Sequence, residues 1–480
     1  MTTSLSRRGF ALALPAALGA FALGPAFKAP DPHAPPTFRE AGPAGAVVWP
    51  AADWWRGFRS PTLDALITRT EAHSFDIAAA AARVIEADAA LQLAGAALLP
   101  AVSASGKDSW SRSYVNTGFG KGYTESRTYS LAPSASYEVD LWGKLRATKQ
   151  SALASAIQSR YDAATVALTT VASVATTWFQ AVGFADRISI SRRNLAASET
   201  ILTAIQAGQA AGVNSALDVA QQAALVAGIR AGIPGLQSQY VQTLNGLGIL
   251  IGEAPERIVV TPDRLRDIAL PEVAPGLPSA LLERRPDVAS AEEQLVEANA
   301  NLRAARAAFF PDVTLTASGG WSAIALSTLF GPGSLFATAA ASAVQTVFDN
   351  GATAAQVRQD RARYAELLAD YRKAVVQAFT DVENGAAAYR LATEQERLQR
   401  VAVDTARTAA RISQAQVLAG TANIVTSLQA QQTLYGDLDT LSQVRLARLT
   451  SLVALYKALG GGWSVADVPT PAHPVYQGVL

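Results

Sequence analysis

The feature that most limits what this chain can become is a pair of very long proline-free spans, each carrying one continuous seam. No proline stands between Pro133 and Pro234, nor between Pro332 and Pro469. Both spans are rich in Ala, Leu, Gln, Arg and Glu, which lose least on entering a helix. In the stretch from Lys144 to Ile233, apolar or small residues fall at Leu153, Ile157, Tyr161, Ala164, Leu168, Val171, Ala175, Trp178 and Val182. These steps alternate between four and three residues, the seam of a coiled coil. From Asn350 to Leu459 the rhythm returns at Tyr364, Leu368, Tyr371, Val375, Phe379, Val382, Ala386 and Tyr389. At 1.5 Å per residue, an unbroken helix from Leu145 to Ala211 would run roughly 100 Å. Compact domains do not need such rods, so the remaining segments are expected to cap, connect or anchor two helical arms.

Between the rods the periodicity changes to two. From Tyr129 to Leu141, Tyr129, Leu131, Ala135, Tyr137, Val139 and Leu141 alternate with Thr128, Ser130, Ser134, Ser136, Glu138 and Asp140. That is a strand with one apolar and one polar face. Ala101 to Tyr114 is its poorer partner, joined by a glycine-rich loop, Val115 to Glu125, that carries Phe119 and Tyr123. Pro311 to Trp321 and Leu335 to Phe348 form a second pair around Gly331-Pro332-Gly333. Strands of about ten residues with two such faces suit a transmembrane β-barrel. Trp110, Tyr114, Trp321, Phe330 and Phe336 are candidates for its interface girdles. A small soluble sandwich fits the same alternation.

The chain is also a duplication. Ala90 to Gly106 matches Ala300 to Gly319 around Pro100 and Pro311, and Asp140-Leu-Trp-Gly143 matches Phe348-Asp-Asn-Gly351. Gly212 to Gln221 matches Gly420 to Gln429. The expected organisation is an export signal over 1–29, an extended leader over 30–60, and a first repeat over 61–252. A linker at 253–278, a second repeat over 279–460 and a tail at 461–480 complete it. Each repeat reads as helix, β-hairpin, long helix, glycine turn and returning helix, with Ile67 to Leu99 helical without interruption. The signal rests on Arg7-Arg8 ahead of an apolar run; twin-arginine and general secretory routes both fit, and a single membrane anchor is the competing reading.

Charge excludes several functions. Forty Lys and Arg against 39 Asp and Glu leave no basic footprint for nucleic acid. There is no cysteine and only three scattered histidines, His33, His73 and His473. No metal site, catalytic cluster, nucleotide-binding loop or cofactor is therefore expected, and neither is enzymatic activity. Four strands cannot close a barrel alone, and open sheet edges are forbidden in hydrocarbon. Two chains would give an eight-stranded barrel filled by side chains; three would give twelve strands around a lumen.

One set of residues resembles a known family. Leu281-Leu-Glu-Arg-Arg-Pro-Asp-Val288, Ala291-Glu292 and Phe309-Phe310-Pro311 resemble the signature of the TolC-type outer-membrane efflux proteins, in the NodT-like branch that serves resistance–nodulation–division pumps. Glu138 to Gly143, Leu247 to Gly252 and Leu459-Gly460 agree with it. The resemblance implies a mainly α fold with a small β part: a homotrimer whose long helices form an α-barrel across the periplasm below a 12-stranded barrel in outer-membrane lipid. It implies a periplasmic adaptor (membrane fusion) protein and an inner-membrane pump as partners. The function implied is passive export of drugs or small molecules, with a channel for ATP-driven type I protein secretion as the alternative. A periplasmic coiled-coil scaffold without a pore is a reading of another class.

Two departures from the family matter. Many relatives carry a lipidated cysteine after the signal; without one, no lipid anchor is expected. The family's gate aspartates fall here on Thr426 and Gln429, and no acid occurs between Asp404 and Asp437. The expected periplasmic gate is Val425, Leu428 and Gln429, with Asn214 and Asp218 bridging neighbouring helices; the competing reading has Asp218 only capping its own helix. Gly212 and Gly420 mark the helix-turn tips expected to meet the adaptor. Arg284 and Arg285 read as structural, Trp178 and Tyr389 as core. Arg400, Arg407 and Arg411 read as lining the conduit or as solvated.

Overall fold

The computed structural model describes residues 27–32, 34, 35, 37–39, 49–117, 120–258, 264–271, 278–419 and 421–463. The expected export signal as far as residue 26, Phe119, Gly420 and the tail beyond residue 463 lie outside the described residues. The elements run α1 (Pro61–His73), α2 (Phe75–Ala96), β1 (Ala101–Thr117), β2 (Gly120–Val139), α3 (Lys144–Ala210) and α4 (Ala216–Ile251). After a linker come α5 (Pro278–Leu282), α6 (Pro286–Ala307), β3 (Asp312–Ala323), β4 (Leu335–Val344), α7 (Ala352–Leu418) and α8 (Ile424–Ala458).

The two rods α3 and α7 are each 67 residues long, about 100 Å at helical rise. Each starts from a glycine in the left-handed region, Gly143 at φ 79° and Gly351 at φ 84°, where a Cβ would be strained. Each N-terminus is then held by a carboxylate: Asp140 accepts from the N–H groups of Leu145 and Arg146, and Asp349 from that of Thr353. The two acids sit three and two residues ahead of their glycines, so the repeat keeps the cap while shifting its register.

Two local expectations are corrected. The helix read as continuous from Ile67 to Leu99 breaks at Ser74, whose ψ of 125° is extended. The end of α4 comes in at that break: a Cβ on Gly252 would lie 2.2 Å from the His73 carbonyl oxygen. The returning helix α4 carries Pro234 inside it and continues to Ile251. Pro234 and Arg230 are both exposed there, so water can take the carbonyl that the missing N–H leaves free. The first β-hairpin has no long loop, because β1 and β2 pair in register as far as Thr117 with Gly120.

Two clusters form the core. One gathers Trp54, Phe58, Leu63, Leu66, Trp178, Phe179, Leu247, Ile251, Leu452 and Tyr456. The other gathers Phe38, Leu281, Leu295, Tyr371, Val375, Val382, Leu455 and Leu459. Both lie midway along the rods, where α1, α6 and the ends of α4 and α8 pack on them. The seam works here: Val171, Ala175, Trp178 and Val182 are buried, whereas Leu153 is 38 % exposed.

Candidate functional site: the two-faced sheet and the helical tips

The four strands form one antiparallel sheet in the order β1-β2-β3-β4. Its register sorts the side chains cleanly. Val102 lies opposite Ala135, Ala135 opposite Ala317 and Ala317 opposite Ala339. With Leu131, Tyr137, Val139, Val313, Leu315, Trp321, Leu335 and Ala341 they make one wholly apolar face. The reverse face carries Ser103, Ser134, Thr316, Ser318, Thr338 and Ser342. The apolar face lies open to the surroundings of a single chain, with Val102 75 % and Leu335 69 % exposed.

Pro133 stands in a central strand, where a missing N–H is normally excluded. The β2–β3 ladder skips Ala132 and Pro133, and Gly319 and Gly320 occupy the facing stretch of β3. A Cβ on Gly320 would sit 2.2 Å from the Leu131 carbonyl oxygen, so glycine lets the two backbones close around the gap.

The apolar band ends abruptly. One step past Leu131 on the same face, Asp108 accepts two bonds from Arg127, at 3.0 and 2.6 Å. Beyond it β1 and β2 continue alone as a polar ribbon with Arg112, Glu125, Tyr114 and Tyr123. This corrects the expected girdle. Trp110 and Tyr114 lie on the ribbon, past the band, and Phe336 pairs with Gly320 on the polar side. Trp321 and Phe330 do meet at the band's rim, ring centroids 5.5 Å apart. At the opposite rim Trp142 stacks on Phe310 at 4.8 Å and donates to the Pro311 carbonyl at 2.9 Å. Lys144 closes that rim on Asp312 at 3.0 Å and Glu138 at 3.4 Å. Burial opposes its charge, yet the two acids hold its ammonium above the ordinary lysine range.

At the far end of the rods, Gly212 turns the chain at φ 76°. Ser215 caps α4 by accepting from the Asp218 N–H, while Asp218 Oδ2 accepts from the Ser215 N–H at 2.8 Å and from its hydroxyl at 2.8 Å. The Ser215 N–H, then its hydroxyl, pull the Asp218 carboxyl below its usual range. The described bonds of Asp218 thus stay within its own turn, and those of Asn214 run back to the Gly208 carbonyl. Asp218 is used locally by the first turn of α4, and Asn214 closes back on the end of α3. In the second tip the Asn423 side chain accepts from the Val425 N–H. Val425 and Leu428 are half-buried on the first turns of α8, and Gln429 is exposed.

Comparison with known proteins follows this geometry. A family profile described as outer membrane efflux protein matches residues 66–253 and 277–461. The chain belongs to that family.

The efflux protein is 37 % identical over 451 residues to the pyoverdine export outer membrane protein OpmQ of Pseudomonas putida, covering 91 % of this chain and 95 % of that one. It is 34 % identical over 460 residues to the antibiotic efflux pump outer membrane protein ArpC of Pseudomonas putida, covering 93 % and 95 %. The outer-membrane channel OprN superposes with a TM-score of 0.86 at 25 % identity, over 92 % of this chain and 99 % of that one. The protein is an outer-membrane efflux channel with the TolC-like fold.

One cluster in the efflux protein was not legible in advance. Glu396 on α7 is 1 % exposed and accepts from Arg445 at 2.7 Å, Arg448 at 3.0 Å and Arg400 at 2.5 Å. Burial raises its carboxyl, but the three guanidiniums more than reverse this and hold it down at about 2. Arg445 also donates to the carbonyls of Leu265 at 2.7 Å and Ile268 at 3.0 Å, fastening the linker to the rods. In sequence only the Glu396–Arg400 step shows, as an ordinary helical pair. Arg285 behaves as its position suggests, bridging Asp287 and Asp381. Trp178 is fully buried, whereas Tyr389 is only partly buried and lies beside Arg448.

Proposed function

We propose that three copies of this chain close a twelve-stranded barrel in outer-membrane lipid and continue it as a helical duct. The carrying observation is the sheet itself: β1 pairs only with β2 and β4 only with β3 among the described residues. Two edges are thereby left that hydrocarbon does not tolerate. The all-apolar face meets lipid and the Ser/Thr face lines a wet lumen, which twelve strands are wide enough to leave.

The duct is passive. Its driving force comes from an inner-membrane resistance–nodulation–division pump through a periplasmic adaptor that meets the tips around Gly212 and Gly420. The cargo is a small molecule, in line with the pyoverdine export and antibiotic efflux named for the relatives. The gate is an uncharged ring of Val425, Leu428 and Gln429, with Asn214 and Asp218 bonded within the neighbouring tip. The N-terminal 29 residues direct export and are removed.

Native mass and planar-bilayer conductance of the detergent-purified protein test this reading. A trimer that opens a discrete aqueous pore is the expected result; a monomer that stays dissolved without detergent overturns it.

A further inference from the structure

A cleft of about 530 Å³ opens between α3, the linker at residues 264–266, α7 and α8. Six guanidiniums line it, from Arg193, Arg264, Arg266, Arg400, Arg407 and Arg445, against three carboxylates, from Asp186, Glu396 and Asp404. Four of the six are answered. Arg400 and Arg445 share Glu396, Arg407 pairs with Asp404 at 2.7 Å, and Arg266 reaches Asp267 at 3.4 Å. Arg193 and Arg264 have no carboxylate within ion-pair distance among the described residues. Asp186, which lines the same cleft, is raised by burial, and it already accepts the Leu265 N–H at 3.0 Å. Both guanidiniums line this cleft with Asp186, from two separate segments of chain, α3 and the linker.

We propose that this cleft binds a small multivalent oxyanion of the diphosphate or tricarboxylate class, clasped by Arg193 and Arg264 above a floor made by Glu396 and Arg445. The volume is that of a ligand pocket rather than a surface dimple. Guanidinium forks match the paired oxygens of phosphate and carboxylate, and bonds to an ionised acceptor are the strong ones. The floor is rigid before any ligand arrives, because Arg445 is fixed to the carbonyls of Leu265 and Ile268, so little ordering remains to oppose binding. Glu396 does not repel the ligand, since its charge is consumed by three cations. Arg400 and Arg407, whose spacing along one helix side was ambiguous in sequence, become the α7 wall of this cleft.

Calorimetric titration of the full-length protein in detergent, with pyrophosphate and with citrate at constant ionic strength set by chloride, tests the assignment. Saturable binding of at least one probe is expected, and the stronger of the two identifies phosphate or carboxylate as the preferred oxygen donor. The double variant Arg193→Ala/Arg264→Ala should weaken it by ~10-fold or more, about the worth of one charge-assisted bond. Arg397→Ala, whose Glu394 partner lies outside the cleft, should leave it unchanged. The milder Arg264→Gln provides a second reading, and unaltered single-channel conductance shows that each variant is folded. No saturable binding of either probe, or equal affinity in wild type and the folded double variant, overturns the proposal.

Discussion

Replacing Glu396 with alanine is the sharpest test of how the rods and linker are held together. The carboxyl is drawn from its ordinary 4.5 to about 2, and at ~1.4 kcal/mol per pH unit that is worth about 3 kcal/mol at neutral pH. Removing one partner of a buried pair costs about 3–5 kcal/mol by itself, so the two routes agree. For a chain of this size unfolding as one unit, at ~2.1 cal/mol/K per residue, the melting temperature should fall by about 3 °C. The sign with pH is fixed by the lowered value. The contribution is complete above pH 4.5 and fades as pH drops towards 2, so variant and wild type should separate at pH 7 and converge near pH 2. Tryptophan fluorescence melts in detergent read this directly, since Trp54 and Trp178 lie in the adjoining core. Glu394→Ala, which removes an exposed pair on the same helix, should not move the curve. Identical melts for Glu396→Ala and wild type at pH 7 would refute the argument.

Four further outcomes are expected. Leu315→Arg places a charge within the apolar face and should cost about 2–4 kcal/mol per chain, seen as loss of protein from the outer-membrane fraction. Gly320→Val should open the β2–β3 ladder, since its Cβ has no room beside the Leu131 carbonyl; protease nicking within the second β-hairpin reports it. Millimolar Mg²⁺ should barely change wild-type conductance, whereas Gln429→Asp should introduce block that disappears on acidification. Burial and the adjacent Glu292 raise the Glu293 carboxyl to about 7. This group therefore favours folding below its ordinary pKa and loses that contribution as pH rises through 7, so Glu293→Gln should raise the melting temperature at pH 8 and not at pH 4.

Periodicity carried most of the architecture and little of the electrostatics. The rods were legible because Tyr161 to Val182 and Tyr371 to Val382 keep one seam over several turns, and no competing signal interrupts them. The strand faces were legible because alternation survives even where Pro133 breaks a ladder. The break at Ser74 was not, since it depends on Gly252 arriving from nearly two hundred residues away in the chain. Pro234 sits inside α4 for a related reason. A proline is carried inside a helix more readily where the freed carbonyl reaches solvent, and exposure is not written locally. The Glu396 cluster joins α7 to α8 and the linker, so no window of sequence contains it. Asp218 lay between two readings, and the capping geometry of Ser215 shows what its carboxylate does within one chain.

How the packing is distributed along the rods bears on the tips. On α3 burial is dense as far as Ile190, and beyond it only Ser198 and Ile205 are buried among the described residues. The first helical hairpin is nevertheless pinned near its end. The Gln222 amide donates to the Ser198 carbonyl at 2.6 Å, and Arg230 pairs with Glu199 at 2.5 Å. The second has no such pin: among the described residues, no side-chain hydrogen bond joins α7 to α8 beyond Gln399 and Asp437. Beyond Val403 the residues buried in this arm, among the described ones, are small: Ala406, Ala410, Ser413 and Ser427. Local opening draws on the least packed segments, and a tip on α7 and α8 can swing without disturbing Trp178 or Glu396. The residues assigned to the gate, Val425, Leu428 and Gln429, stand on that looser arm, while Asn214 and Asp218 stand on the pinned one. On the proposed gate assignment, where the hydrogen bonds stop would give one fixed and one yielding jaw.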